Sequence, residues 1–244
     1  MGANMTEVWV YLSTSPLLWL ALTLVCYGLA MRFYGWTGSR AYANPVATAV
    51  ALLVLILSWT GTSYDSYFQG AQFVHFLLGP ATVALAIPLA EQWSRLKRMV
   101  FPLILSLLVG TLVASLSALL IAHTLGASTA TLASLAPKSV TTPIAMGISE
   151  KLGGLPSLTA VLVLLTGMVG AIFGPALFKR LSVRDDAIKG VALGVAAHGI
   201  GTARAFQLSD AAGAFAGLAM GLTALLSALL LPFLAPWVLQ HLAR

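Results

Sequence analysis

The chain has 244 residues, 59% of them hydrophobic and 8% charged, with a mean hydropathy of +0.94, whereas a soluble domain carries about a quarter of its residues charged. This is the composition of an integral membrane protein; at about 20 residues per spanning helix, six to eight crossings use up the length and exclude a separate soluble domain. The net charge of +6 lies in short loops between apolar runs, where the positive-inside rule puts it, not in a patch that would bind nucleic acid.

The N-terminus carries Glu7 and no basic residue before the first long apolar run, residues 16–33, which reads as a retained helix and not a cleaved signal. Cys26, the only cysteine, lies in that run, so no disulfide framework and no thiol cluster is expected. Run two, residues 45–60, starts at Asn44-Pro45, a turn followed by proline at a first helical position. Residues 62–68 follow, rich in aromatics with one acid, Asp65. They suit an interfacial aromatic belt, with solute contact by Tyr64 or Asp65 as the other reading. Run three, residues 73–90, contains Pro80 and Pro88, expected breaks, and Glu91, Arg95, Lys97 and Arg98 come after it. Run four is residues 100–122, and run six, residues 158–178, is closed by Lys179, Arg180 and Arg184. Run seven, residues 187–206, carries His198 and Arg204, and the last run, residues 211–239, is expected to be interrupted by Pro232 and Pro236.

The fifth stretch, residues 132–154, differs from the rest. It holds Pro137 and Pro143 six positions apart, with Lys138, Ser139, Thr141 and Thr142 among them. Each proline removes an N–H and crowds the preceding turn, so two half-helices flanking an unwound polar elbow are expected. Such an elbow survives at membrane depth only inside protein or beside a wet cavity, where its N–H groups and helix ends form a site for ions or small solutes.

Charge parity agrees. Arg32 and Arg40, then Arg95, Lys97 and Arg98, place the loops after runs one and three in the cytoplasm and the N-terminus outside it. If residues 132–154 crossed completely, Lys179, Arg180, Arg184 and Lys189 would fall outside; if the segment enters and turns back, they fall inside. A missed crossing elsewhere would also repair the parity. Leu78-Gly-Pro-Ala-Thr-Val83 echoes Leu135-Ala-Pro-Lys-Ser-Val140, a faint sign of a repeat of residues 1–125 and 126–244 within a single membrane domain of residues 1–244. Gly167, Gly170 and Gly174, Gly190 and Gly194, and Gly213, Gly217 and Gly221 recur at spacings that let helix backbones approach closely in lipid.

Several side chains could carry chemistry. Lys138 within an apolar segment costs about 2.5 kcal/mol or more at the bilayer centre; it either faces a cavity or snorkels to an interface. Ser139, Thr141 and Thr142 beside it either bond a neighbouring carbonyl, as serine and threonine commonly do, or, next to an unwound turn, bind a carboxylate or a sodium ion together with Val140. His198 and Thr202 lie four apart on one helical face. His198 is either a proton relay or a histidine bonded across a helix interface. Arg204 is either a fork for a carboxylate or an interfacial arginine. Lys138 and Ser139 are adjacent, which disfavours an activated serine, and no carboxylate pair, metal-ligand cluster or phosphate loop occurs, so neither enzyme activity nor a metal or cofactor is expected.

The string Leu135-Ala-Pro-Lys-Ser-Val-Thr-Thr-Pro-Ile-Ala145, with Ser63-Tyr-Asp-Ser-Tyr-Phe68, Pro80-Ala-Thr-Val-Ala-Leu-Ala-Ile-Pro-Leu89 and His198-Gly-Ile-Gly-Thr-Ala-Arg204, resembles the LrgB/CidB family over nearly the whole chain. The resemblance implies a bacterial inner-membrane protein partnered with a smaller LrgA/CidA-type membrane protein. It implies one of two functions: holin- or antiholin-like control of murein hydrolase export and autolysis, or transport of small monocarboxylates such as glycolate, glycerate or pyruvate, as in the related plastidal glycolate/glycerate translocator. Ala90 departs from it, standing where an aromatic is expected after Pro-Leu. A pore needs no discrete solute site, whereas a carrier needs an interrupted segment with converging polar groups. The sequence therefore favours the carrier: an all-α bundle of about seven to eight hydrophobic segments, some discontinuous or re-entrant, with a proton or sodium ion as coupling ion and a homodimer as its assembly.

Overall fold

The computed structural model describes residues 15–38, 43–84 and 86–242. Its elements are α-helices, arranged in two compact units, Met1–Ala84 and Leu85–Arg244. Arg40, used above to orient the chain, and Glu7, used to read the first run as retained, lie outside the described residues.

The first unit holds α1 (Pro16–Trp36), α2 (Pro45–Thr60) and α3 (Tyr64–Ala84). The start of α2 follows its sequence signal: Asn44 Oδ1 accepts from Val46 N (2.9 Å) and Ala47 N (3.2 Å), Pro45 occupies the first turn, and Gly61 ends the helix at φ 65°. α1 packs against α2 and α3. Fully buried Trp19 meets Tyr67 edge-on, ring centroids 6.1 Å apart, and Thr23 donates to the Tyr67 hydroxyl at 3.2 Å.

The second unit holds α4 (Ala86–Glu91), α5 (Trp93–Thr124), α6 (Thr129–Leu135), α7 (Thr142–Lys151), α8 (Pro156–Arg180), α9 (Asp186–Phe206) and α10 (Asp210–Leu242). α9 lies against α8 and α10, and α6 and α7 pack on α8. Close approach of α9 to α10 depends on Gly190 and Gly194, where a Cβ would collide with the carbonyls of Ala212 and Ala216. α5 and α10 run side by side in the same sense: Leu103 and Leu107 share a core cluster with Phe215 and Ala219, and Leu119 shares one with Ala235 and Val238. Arg95, near the start of α5, pairs with Asp185, just beyond α8, at 2.6 Å. α5 leaves that end and α8 returns to it, so residues 125–155 begin and finish at the opposite end.

Among the described residues four helices, α1, α5, α8 and α10, are long and apolar enough to cross a membrane; α2 is apolar but shorter, at 16 residues. The all-helical membrane architecture holds. The prolines do not act alike. Pro80, Pro102, Pro175, Pro232 and Pro236 lie inside helices that continue past them, and Pro88 lies within the six-residue α4. In apolar surroundings a helix is the cheapest way to pair the remaining backbone groups, so one proline is absorbed into it.

Asp185 closes the other end of the unit. Its Oδ1 accepts from Ala187 N (2.8 Å) and Ile188 N (3.2 Å), capping α9. Burial by itself would raise the carboxyl; the Ile188 amide, the Arg95 charge and the Ala187 amide outweigh it and hold the group below its ordinary value. Asp185→Ala is expected to cost about 1 kcal/mol, and Asp185→Asn less because asparagine also caps. Thermal unfolding in detergent checks this. A depressed pKa contributes stability above the unfolded value that is lost as pH falls through the folded one, so the gap between wild type and Asp185→Asn should close below the ordinary value of 3.8.

Candidate functional site at two helix breaks

Residues 136–141 separate α6 from α7. Ala136 N–H closes α6 on Leu132 O, and two tight turns follow, Lys138 N–H to Leu135 O (3.1 Å) and Val140 N–H to Pro137 O (3.0 Å). Thr141 is the N-cap of α7 without using its side chain as a cap, and Pro143 sits in the first turn. The N–H groups of Ser139, Thr141, Thr142 and Ile144 therefore have no acceptor among the described residues. The two half-helices and polar elbow expected from the prolines are both present.

Pro137, Ser139 and Val140 are buried and Lys138, Thr141 and Thr142 half-buried. Lys138 Nζ donates to Ser139 Oγ at 3.2 Å and makes no ion pair with any described residue. The Val140 side chain faces the apolar cluster of Ala145, Val163 and Ala224, so this residue can offer a ligand only its backbone. Pro143 is exposed.

A second break, unmarked by any proline, lies inside α9. Ala197 (φ −133°, ψ 15°) and His198 (φ 40°, ψ −131°) leave helical geometry. His198 is a non-glycine residue at positive φ, a conformation that costs about 1–3 kcal/mol and persists only where the surroundings impose it. They do so here. His198 Nε2 lies 2.9 Å from Val163 O on α8; a carbonyl only accepts, so Nε2 carries the proton and Nδ1 is left as the acceptor. Thr202 Oγ1 donates to His198 O at 2.9 Å. Gly167 makes room for the ring, since a Cβ there would lie 2.8 Å from His198 Cε1.

The breaks are neighbours. Val163, whose carbonyl holds His198, packs with Val140 of the first break. Lys138, Ser139, Thr141, Thr142, His198 and Thr202 thus belong to one region. Arg204, in the last turn of α9, donates from Nη1 to Gln207 Oε1 at 2.6 Å.

Other hydroxyls, not singled out from sequence, hold the first break in place. Ser115 Oγ on α5 donates to Ala136 O (3.0 Å). Fully buried Ser134, Ser149 and Thr159 join α6, α7 and α8: Leu155 N–H donates to Ser134 Oγ (2.7 Å), and Thr159 Oγ1 lies 2.7 Å from Ser149 Oγ and 3.0 Å from Ser134 O. Their signal in the sequence is a polar residue within an otherwise apolar stretch, which by itself does not distinguish a strut from a ligand.

Comparison with known proteins places these features in a family. The description "LrgB-like family" matches residues 23–237. The chain is 40% identical over 215 residues to "Uncharacterized protein YwbG" of Bacillus subtilis, covering 88% of this chain and 95% of that one. It is 38% identical over 201 residues to "Uncharacterized protein YxaC" of the same organism (82% and 87%), and 27% identical over 224 residues to "Antiholin-like protein LrgB" of Bacillus cereus (92% and 97%). No solved structure matches.

Removing a strut tests the arrangement. Ser134→Ala leaves the Leu155 N–H without an acceptor and is expected to destabilise by about 1–3 kcal/mol. A melting temperature in detergent equal to that of wild type would show that the hydroxyl bonds do not hold the break.

Proposed function

The chain belongs to the LrgB-like family, and on that footing we propose that it is a membrane carrier of small monocarboxylates, glycolate-, glycerate- or pyruvate-like anions, and not an enzyme. One observation carries the reading: Lys138, a half-buried ammonium with no carboxylate partner among the described residues, stands among amide N–H groups that find no acceptor among them either. All of these are donors. A carboxylate supplies the missing charge and the missing acceptors, and hydrogen bonds to a charged group contribute about 1.5–3 kcal/mol each. Ser139, Thr141 and Thr142 complete the cradle, and His198 Nδ1, the ring nitrogen left as an acceptor, would take a coupling proton; a sodium ion is the other coupling ion consistent with neutral oxygen ligands.

In this reading residues 129–154 form a re-entrant hairpin in a bundle of about seven to eight hydrophobic segments. Lys97 and Arg98 then share the cytoplasmic side with Lys179 and Arg180, and the N-terminus lies outside the cytoplasm in a bacterial inner membrane. A smaller LrgA/CidA-type partner and a homodimer are part of the same proposal. The printed name of the Bacillus cereus relative supports a second reading, antiholin-like control of murein hydrolase export and autolysis.

Uptake of labelled glycolate, glycerate and pyruvate into proteoliposomes separates them. Lys138→Ala is expected to reduce uptake at least tenfold and Thr142→Val severalfold, as loss of charge-assisted bonds of about 1.5–3 kcal/mol implies. Uptake unchanged in both variants removes these residues from the site, and leakage of dyes far larger than a monocarboxylate favours the pore.

A further inference from the structure

Three hydroxyls in the second unit are 3% exposed or less and have no hydrogen-bond partner among the described residues: Thr111 on α5, and Thr223 and Ser227 on α10. They contrast with other helical hydroxyls of this chain. Thr23, Thr60, Ser106, Ser134 and Thr202 each donate to the carbonyl four residues back, at 2.7–2.9 Å. That bond is the default for serine and threonine in an apolar helix, and a buried hydroxyl that forgoes it loses about 1–3 kcal/mol unless something else accepts or donates.

The helix register puts the three at one level. Leu107 shares a cluster with Phe215 and Ala219, and Leu119 with Ala235 and Val238, so Thr111 and Ser115, between the two leucines, lie level with Thr223 and Ser227. This polar layer between two apolar ones is level with the first helix break. Ser115 donates to Ala136 O at its near edge, and Ala224, between Thr223 and Ser227, packs against Val140.

We infer that Thr111, Thr223 and Ser227 form the inner wall of the anion site, so that α5 and α10 donate hydroxyls to the carboxylate that the residue 136–141 break receives from the other side. The inference rests on the carrier reading. The ligand is an anion and not a cation, because Lys138 and the unpaired N–H groups of the same break repel a cation and attract a carboxylate. Hydroxyls add donors without adding charge, which suits a site that already holds one fixed positive group.

The test is uptake of labelled glycolate and pyruvate by proteoliposomes of wild type, Thr223→Val/Ser227→Ala, Thr111→Val and the conservative Thr223→Ser, with melting temperatures of the ligand-free proteins. Removing an unsatisfied hydroxyl costs the empty protein nothing, so the variants should melt no lower than wild type while their half-saturating concentrations rise about tenfold; Thr223→Ser should stay close to wild type. Variants that melt several degrees lower overturn the inference, because the hydroxyls then serve the fold. Wild-type uptake matched by the double variant overturns it alone. Absence of uptake by wild type for either acid overturns the carrier reading and this wall together.

Discussion

A chain in apolar surroundings must pair its own backbone N–H and C=O groups, because no water is there to do so. The long helices of this protein meet that requirement even through Pro102, Pro175, Pro232 and Pro236. In the second unit it is suspended at residues 136–141 and again at Ala197 and His198. Both departures are held in place. Ser115 takes the carbonyl of Ala136, Val163 takes the imidazole of His198, and Thr202 takes the His198 carbonyl.

The groups left over are of one kind. Around the first break they are N–H donors and an ammonium, and on α5 and α10 they are hydroxyls that forgo their default bond. Other charges of the second unit sit near helix ends, where Arg95 pairs with Asp185 and Lys189 with Asp186. Lys138, between the ends of α6 and α7, has no carboxylate partner among the described residues. A group of donors with one fixed positive charge suits the small anion of the proposed carrier.

The surroundings keep this arrangement from collapsing into a regular helix. Ser134, Ser149 and Thr159 tie α6, α7 and α8 at one end of the break, and Gly167 clears space for the histidine ring. Close contact of α9 with α10 through Gly190 and Gly194 supplies packing that fixes the second break. Strain at His198 φ and unsatisfied donors at the elbow are thus offset by well-packed, fully bonded neighbours, the usual place for such costs being a functional site.

The sequence alone determined what local chemistry can determine. Composition made the chain a membrane bundle, Asn44-Pro45 started α2, and two prolines around a polar run opened the gap between α6 and α7. These outcomes depend on groups within a few residues of one another. Only the tertiary structure decided that Pro80, Pro232 and Pro236 leave their helices running while α9 breaks at a histidine with no proline nearby, because that break is set by a carbonyl 35 residues away on α8. It alone brought Val140 against Val163, set Arg204 on Gln207, and left Thr111, Thr223 and Ser227 without partners among the described residues. Pairing across helices is a property of register and packing, to which the periodicity of a single apolar run is blind.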